Sequence, residues 1–229
     1  MSNPHAVTRE FESELCRYTG APYAVAVNSC TSALMLAVAW GMIMKARKNP
    51  KAWDRSPGPF CVEIPKRTYV GVPMAIIHAH GRPTFRDEEW IGAYQLKPLP
   101  VWDSARRFTG KLYECISECD AGATGQMVCV SFHWTKTLGV EYAQGGAILH
   151  DSAEADAWLR RARFDGRTEG VAPKDDTFNM VGWHVYMDPG TAGRLLKKMQ
   201  FLPQHNAPLP WGPGTASDYP DLSKSEAFK

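Results

Sequence analysis

Lys136 is the side chain whose position most strongly suggests chemistry. It ends the segment SFHWTK (residues 131–136), just behind an apolar run at residues 127–132 that predicts a buried strand. A lysine this close to a buried strand is unusual, because lysines are mostly solvated. In a polar pocket that lowers its pKa, such a lysine can act as a nucleophile and form a Schiff base. Position alone favours the alternative, a solvated lysine in a loop.

Further polar groups stand where other predicted strands end. The segment NSCTS (residues 28–32) lies between a strand and a helix, so its hydroxyls and N–H groups could cradle a phosphate or only cap the helix. Asp103 follows a short apolar run, and its carboxylate could pair with a cationic ring nitrogen or cap the next turn. His184 precedes the last predicted helix, and a lone histidine is more often structural than catalytic. Each of these signals is weak when it is taken alone.

The apolar periodicity predicts the elements that must position these groups. We predict helices at residues 6–18, 33–44, 71–80, 153–164 and 187–199, and strands at residues 23–27, 60–64, 82–85, 100–103, 127–132 and 146–149. Alternating strands and helices indicate a layered α/β domain with a mostly parallel sheet. In such sheets ligands bind at the carboxyl ends of the strands, which is where the polar groups fall.

Composition narrows the class of protein. The 229 residues are 44% hydrophobic and 22% charged, which is ordinary for a soluble globular protein. With 26 basic and 24 acidic residues, the net charge of +2 gives no reason to expect a nucleic-acid or membrane surface. The N-terminus does not have the layout of a signal peptide, and the six cysteines do not have the paired spacing of a zinc site. We therefore expect a cytoplasmic protein without a metal.

The composition changes after Leu202, where Pro, Gly, Ser and Asp become frequent and apolar residues rare. We therefore predict a core over residues 1–202, followed by an extended arm or partly disordered tail over residues 203–229.

Five collinear segments resemble the DegT/StrS-type sugar aminotransferases, which use pyridoxal 5′-phosphate (PLP) and belong to the aspartate aminotransferase superfamily. They are REFESELCRYTGAPYAVAVNSCTSAL, EIPKRTYVGVPMAIIHAHGRPTFRD, VWDSARRFTG, VSFHWTKTLGVEYAQGGAIL and GWHVYMDPGTAGRLLKKM. The resemblance implies a three-layer sandwich like the large PLP-binding domain of fold-type-I aminotransferases. It also implies that the small C-terminal domain of that family is absent from this chain.

The resemblance implies a role for each matched residue. Lys136 matches the catalytic lysine that holds PLP as a Schiff base, the internal aldimine. The other implied cofactor contacts are Thr31 and Ser32 in the phosphate turn, Ser131 on the phosphate, Tyr69 stacked on the pyridine ring, Asp103 at the ring nitrogen, Arg106 near the ring hydroxyl, and His184 reaching the phosphate from the neighbouring subunit.

The implied function is transamination of a keto sugar attached to a nucleotide, with glutamate as amino donor and the active site shared across a homodimer. The chain departs from the family at Cys30 (usually Gly), Arg106 (Gln or His), Gln144 (Glu) and His184 (Asn). Cys30, His184 and the missing small domain keep open a second hypothesis, a dimeric binding module that retains the fold without turnover. A sugar dehydratase is disfavoured, because related dehydratases carry His in place of the lysine.

Overall fold

The structure, a computed structural model, describes residues 5–51, 58–119, 125–210 and 218–228. Its helices in these ranges are α1 (Ala6–Thr19), α2 (Cys30–Lys48), α3 (Gly71–His78), α4 (Leu112–Cys119), α5 (Ala153–Ala162) and α6 (Pro189–Met199). Its strands are β1 (Tyr23–Val27), β2 (Cys61–Pro65), β3 (Arg82–Arg86), β4 (Tyr94–Leu96), β5 (Val101–Asp103), β6 (Met127–Ser131) and β7 (Gly146–His150). Along the described residues no helix is long and apolar enough to cross a membrane.

The central sheet has the strand order β1-β7-β6-β5-β4. Strand β5 is parallel to β6, whereas β7 is antiparallel to β1 and to β6, and β4 is antiparallel to β5. Strands β1, β5 and β6 therefore run in one direction, and their carboxyl ends lie at one edge of the sheet. Strands β2 and β3 form a separate parallel pair, which backbone hydrogen bonds between Glu63 and Lys97 join to the end of β4.

The predicted α/β class is confirmed, but the sheet is mixed rather than mostly parallel. Parallel neighbours need a crossover of a dozen or more residues, usually helical. The connection from β4 to β5 is only residues 97–100, which returns the chain antiparallel. The loop from β6 to β7 carries Lys136 and contains no helix, so β7 also returns antiparallel.

Two clusters of buried side chains pack on opposite faces of the sheet and make three layers. Helices α2, α3 and α5 pack on one face, where Val25 and Ile148 point. Helices α1, α4 and α6 cover the other face, where Ala26 and Leu149 point. This alternation follows from the two-residue period of a strand. Helix α2 is apolar around its circumference from Ala33 to Met42, as expected for a helix buried on all sides.

A buried ionic cluster fixes β1, whose end forms part of the site. Glu12 of α1 is 3% exposed, accepts the N–H of Ala26 at 2.9 Å and pairs with Arg163, which is 1% exposed. Arg160 adds a second ion pair to Glu12 at 2.6 Å. Burial raises the pKa of Glu12, while Arg163 opposes the rise. Loss of one member of such a cluster costs about 3–5 kcal/mol, so it holds α1, β1 and α5 in register.

Candidate active site

The carboxyl ends of β1, β5 and β6 open on a cavity of about 320 Å³. Its walls combine hydroxyls, one carboxylate, two cations and aromatic rings. The lining residues are Ser29, Cys30, Thr31, Leu34, Thr68, Tyr69, Val72, Asp103, Ala105, Arg106, Ser131, His133, Thr135, Lys136, Gln144, Gly145 and Tyr219. Six of the eight side chains predicted from the sequence thus meet here: Thr31, Tyr69, Asp103, Arg106, Ser131 and Lys136.

One end of the cavity is lined by hydroxyls at the start of α2. Ser29 is the N-cap, and its hydroxyl accepts the N–H of Ser32 at 3.1 Å. Thr31 lines the cavity beside Ser29, whereas the hydroxyl of Ser32 points back and donates to Asn28 at 2.7 Å. Ser131, 7% exposed, completes this end from β6. Hydroxyls at the positive end of a 19-residue helix form a suitable site for a phosphate.

Asp103 is a buried carboxylate that local hydrogen bonds orient. It is 5% exposed, one oxygen accepts the N–H of Ala105 at 2.9 Å, and the other accepts the hydroxyl of Tyr94 at 2.8 Å. Since Tyr94 gives its only proton to Asp103, its 2.6 Å contact with Thr68 uses the threonine as donor. Burial raises the pKa of Asp103, while these hydrogen bonds and Lys136 oppose the rise. A buried carboxylate of this kind can hold a cationic ring nitrogen.

Lys136 lies in the loop between β6 and β7 and faces Asp103 across the cavity. The loop turns tightly, with hydrogen bonds from the Lys136 N–H to the His133 carbonyl at 2.8 Å and from the Gly139 N–H to the Lys136 carbonyl at 2.9 Å. Burial and the neighbouring Arg106 lower the pKa of Lys136, whereas Asp103 opposes that change. A lowered pKa increases the fraction of neutral amine, the form that attacks carbonyl carbon.

The C-terminal part of the chain contributes a wall of the cavity. Tyr219 lines it with its ring centre 6.4 Å from that of Tyr69. The backbone of this segment is bound to the loop after β2, through Arg67 to the Tyr219 carbonyl at 3.0 Å and the Leu222 N–H to the Lys66 carbonyl at 2.9 Å. The sequence analysis did not predict Tyr219 as a site residue. The feature that could have indicated it is an aromatic residue within an otherwise polar, Pro-rich stretch.

His184 lies outside the cavity. Its side chain is 70% exposed, and Nδ1 lies 2.7 Å from a carboxylate oxygen of Asp165. Sequence reasoning placed His184 on the phosphate of a neighbouring subunit, and that role stays a prediction. Within the described ranges, no group of three or more His, Cys, Asp and Glu side chains could hold a metal ion.

The three-layer fold is that of the large domain of fold-type-I aminotransferases. Residues 3–89 match the family model of the DegT/DnrJ/EryC1/StrS aminotransferase family. The spore coat polysaccharide biosynthesis protein SpsC of Bacillus subtilis (strain 168) is 37% identical over 79 residues, which are 34% of this chain and 17% of SpsC.

Solved structures share the fold at low sequence identity. NtdA from Bacillus subtilis, solved with the bound cofactor PMP, aligns with a TM-score of 0.61 at 18% identity over 86% of this chain and 48% of NtdA. DesI, solved in the presence of its TDP-sugar product, aligns with a TM-score of 0.57 at 21% identity over 86% of this chain and 53% of DesI. The chain thus spans about half the length of these structures. The resemblance to the aminotransferase family and the fold-type-I architecture are confirmed.

Proposed function

We propose that this protein is a PLP-dependent aminotransferase that transfers an amino group from glutamate to a nucleotide-linked keto sugar. The observation that carries the proposal is the convergence of Lys136, Asp103 and the hydroxyls of Thr31 and Ser131 on one cavity. The family match supports the reaction type. The TDP-sugar of DesI and the polysaccharide pathway of SpsC support a nucleotide-linked sugar as substrate.

The residues of the cavity fit PLP. Thr31, Ser29, Ser131 and the start of α2 would hold the phosphate, Tyr69 would cover the ring, and the buried carboxylate of Asp103 would hold the ring nitrogen. Gly71 allows this packing, because a Cβ at that position would meet the hydroxyl of Thr31 at 2.8 Å and the ring of Tyr69 at 2.7 Å. PLP bound there supplies an electron sink for the carbon that carries the amino group.

Side chains around the cavity would orient the cofactor and move protons during the reaction. With PLP bound, Asp103 would hold the proton of the ring nitrogen, while Tyr94, itself hydrogen-bonded to Thr68, keeps Asp103 in place. The Lys136 amine would hold the cofactor and would move a proton to and from the amino-bearing carbon as a general base and acid. The hydroxyls at the start of α2 fix the opposite end, so that the reacting carbon stays in register with Lys136.

Absorption spectroscopy tests the cofactor assignment. We expect the purified protein to turn yellow with PLP, and the Lys136→Ala variant to stay colourless because it has no amine to bind the aldehyde. Lys174→Ala is the matched control, since Lys174 is exposed and does not line the cavity, and it should turn yellow like the wild type. A wild-type protein that stays colourless would contradict the proposal.

A second candidate is a binding module that holds PLP without turnover. Cys30 favours it, because a side chain lines the cavity where the family usually has glycine. Adding glutamate to the yellow protein separates the two functions. Loss of the yellow absorbance supports the aminotransferase, whereas persistence of the colour with a panel of amino acids supports the binding module.

We further propose a homodimer, because apolar side chains beside the cavity are exposed. Tyr69 is 55% exposed, and Val70, Met74 and Ile77 are each 40% exposed along one side of α3. A second copy would cover this face, and the resemblance assigns His184 of each copy to the phosphate in the other site. The division of the chain at residue 202 and the cytoplasmic location stay predictions, which limited proteolysis and cell fractionation would test.

A further inference from the structure

Among the residues that the structure describes, Arg106 carries a buried positive charge without an acidic partner. The residue is 8% exposed, and among the described residues no carboxylate oxygen lies within 4.0 Å of its guanidinium. One guanidinium nitrogen donates to the carbonyl of Pro210 at 2.8 Å. The chain that follows Pro210, residues 211–217, contains no Asp or Glu. A buried cation is costly unless an anion compensates it, so this arrangement calls for an anionic ligand.

The cavity as a whole also has an excess of positive charge. Its lining contains two cations, Arg106 and Lys136, and one carboxylate, Asp103. Asp103 is already bound to Tyr94 and the N–H of Ala105. Burial lowers the pKa of Lys136 most, and the nearby charge of Arg106 lowers it further. An anion bound between the two cations would relieve this repulsion.

Tyr219 supplies a neutral donor next to Arg106. Burial raises the pKa of Tyr219 while Arg106 opposes the rise, so the phenol stays protonated near neutral pH. Hydrogen bonds from Arg67 and to Lys66 hold the segment that carries Tyr219. A planar guanidinium beside a hydroxyl matches the two oxygens of a carboxylate.

We infer that Arg106 and Tyr219 bind the α-carboxylate of the amino donor. The inference rests on the proposed function, in which the donor's amino group is delivered next to Lys136. In an α-amino acid the carboxylate is attached to the carbon that carries the amino group. A cation in the same cavity as Lys136 is therefore placed to receive it, and the donor is selected as an α-amino acid.

Two amines that differ only in that carboxylate test the inference. With the PLP-loaded protein, the rate constant for loss of yellow absorbance is measured with L-glutamate and with γ-aminobutyrate, which lacks the α-carboxylate. Arg106→Gln should slow the reaction of glutamate about 10–100-fold, the range for losing a charge-assisted hydrogen bond. With every protein saturated with PLP, the reaction of γ-aminobutyrate should slow much less, so that the ratio of the two rate constants falls. Arg107→Gln is the matched control, because Arg107 does not line the cavity.

A second readout needs no cofactor. Calorimetry should detect succinate binding to the cofactor-free wild type and to Arg107→Gln, and a loss of binding in Arg106→Gln. Tyr219→Phe keeps the ring and should reduce the preference for glutamate several-fold, so it decides the question if Arg106→Gln does not fold.

Two results would overturn the inference: equal slowing of both amines by Arg106→Gln, or an unchanged preference for glutamate in both variants. If the wild type does not bind PLP, the proposed function fails, and succinate calorimetry alone then decides whether Arg106 binds a carboxylate.

Discussion

At the scale of single residues, the buried carboxylate of Asp103 lowers the stability of the fold when it is ionised and provides the negative charge that a cationic ring nitrogen would need. Its folded pKa is raised by burial above the ordinary value for Asp. A raised folded pKa means that its contribution to stability is complete below the unfolded pKa and is lost as pH rises through the folded pKa. Above that folded pKa the cofactor-free protein carries a destabilising buried charge, which a cationic ring nitrogen would compensate.

We predict that Asp103→Asn stabilises the cofactor-free protein at high pH. The amide can donate to Tyr94, whose hydroxyl then donates to Thr68, so the buried groups stay paired. The melting temperature should rise by roughly 2–4 °C per kcal/mol gained at about pH 8, and the difference should vanish near about pH 4. The same variant should lose about 10²–10⁴-fold in the rate at which glutamate removes the yellow colour.

The control for this prediction is Asp175→Asn, at an exposed carboxylate outside the cavity. It should leave the melting temperature and the rate unchanged at both pH values. A variant at Asp103 that melts below the wild type at high pH would show that its hydrogen bonds outweigh the cost of burial.

Residue identity alone predicts the groups that touch the cavity better than the groups that support them. Asp103 ends β5 and Lys136 lies in the loop after β6, so their meeting follows once the two strands run in the same direction. Tyr94 begins β4 and Thr68 lies in the loop after β2, and the hydrogen bonds from Thr68 to Tyr94 and from Tyr94 to Asp103 depend on β4 pairing with β5. No local pattern in the sequence specifies that pairing.

At the scale of elements, the close approach of β7 to the start of α2 shapes the phosphate end of the cavity. A Cβ at Gly146 would lie 2.5 Å from the backbone nitrogen of Cys30 and from the carbonyl carbon of Ser29. Both are backbone atoms, so they cannot move aside as a flexible side chain could. The absence of a side chain at Gly146 thus lets the cap at Ser29 sit against the sheet.

We predict that Gly146→Ala destabilises the protein by about 1–3 kcal/mol, the range for overpacking a core. It should also weaken PLP binding, because the start of α2 must shift away from β7. Urea denaturation and absorbance titration measure the two effects. Gly193→Ala is the control, since its Cβ would meet Val7 at an ordinary 3.5 Å within α6, and it should stabilise the protein by about 0.5–1 kcal/mol. Unchanged stability and PLP affinity in Gly146→Ala would contradict this account.

The elements that sequence analysis missed are those whose stability comes from tertiary contacts. Helix α4 has the sequence LYECISEC, which contains Tyr, Cys and Ile, all modest helix formers, and it is held by burial of Leu112 and Ile116. Strand β4 has only three residues and is defined by its pairing with β5. By contrast, α2 and β6 have long apolar runs, and the sequence predicts them within a few residues.

At the scale of the whole molecule, the C-terminal region is bound to the core more closely than its composition indicates. The N–H groups of Gly110 and Leu209 link residues 204–209 to the loop after β5 at 2.8 Å each. Farther along, Leu222 is 3% exposed. A single buried leucine and backbone hydrogen bonds leave little trace in an apolar pattern, which is why this packing could not be read from the sequence.

The exposed apolar side of α3 predicts that the protein forms a dimer through this face. Met74 and Ile77 are each 40% exposed beside the cavity, and an apolar stripe of this kind is expected to be covered by another surface. We expect the wild type to be a dimer and the double variant Met74→Glu/Ile77→Glu to be a monomer, because four glutamates would face each other across a two-fold interface. Light scattering after size exclusion gives the masses directly. Phe201→Glu is the control, since Phe201 is 78% exposed at the end of α6, and it should stay dimeric.

The same variants connect assembly to cofactor binding. If His184 of each copy supports the phosphate in the other site, the monomeric double variant should bind PLP more weakly than wild type. His184→Ala should weaken binding to a similar degree while the protein stays dimeric, because the imidazole is exposed and contacts Asp165 and the ring of Tyr186, neither of which lines the cavity. A monomeric wild type would contradict the dimer. Equal PLP affinity of the wild type and His184→Ala would contradict this role of His184.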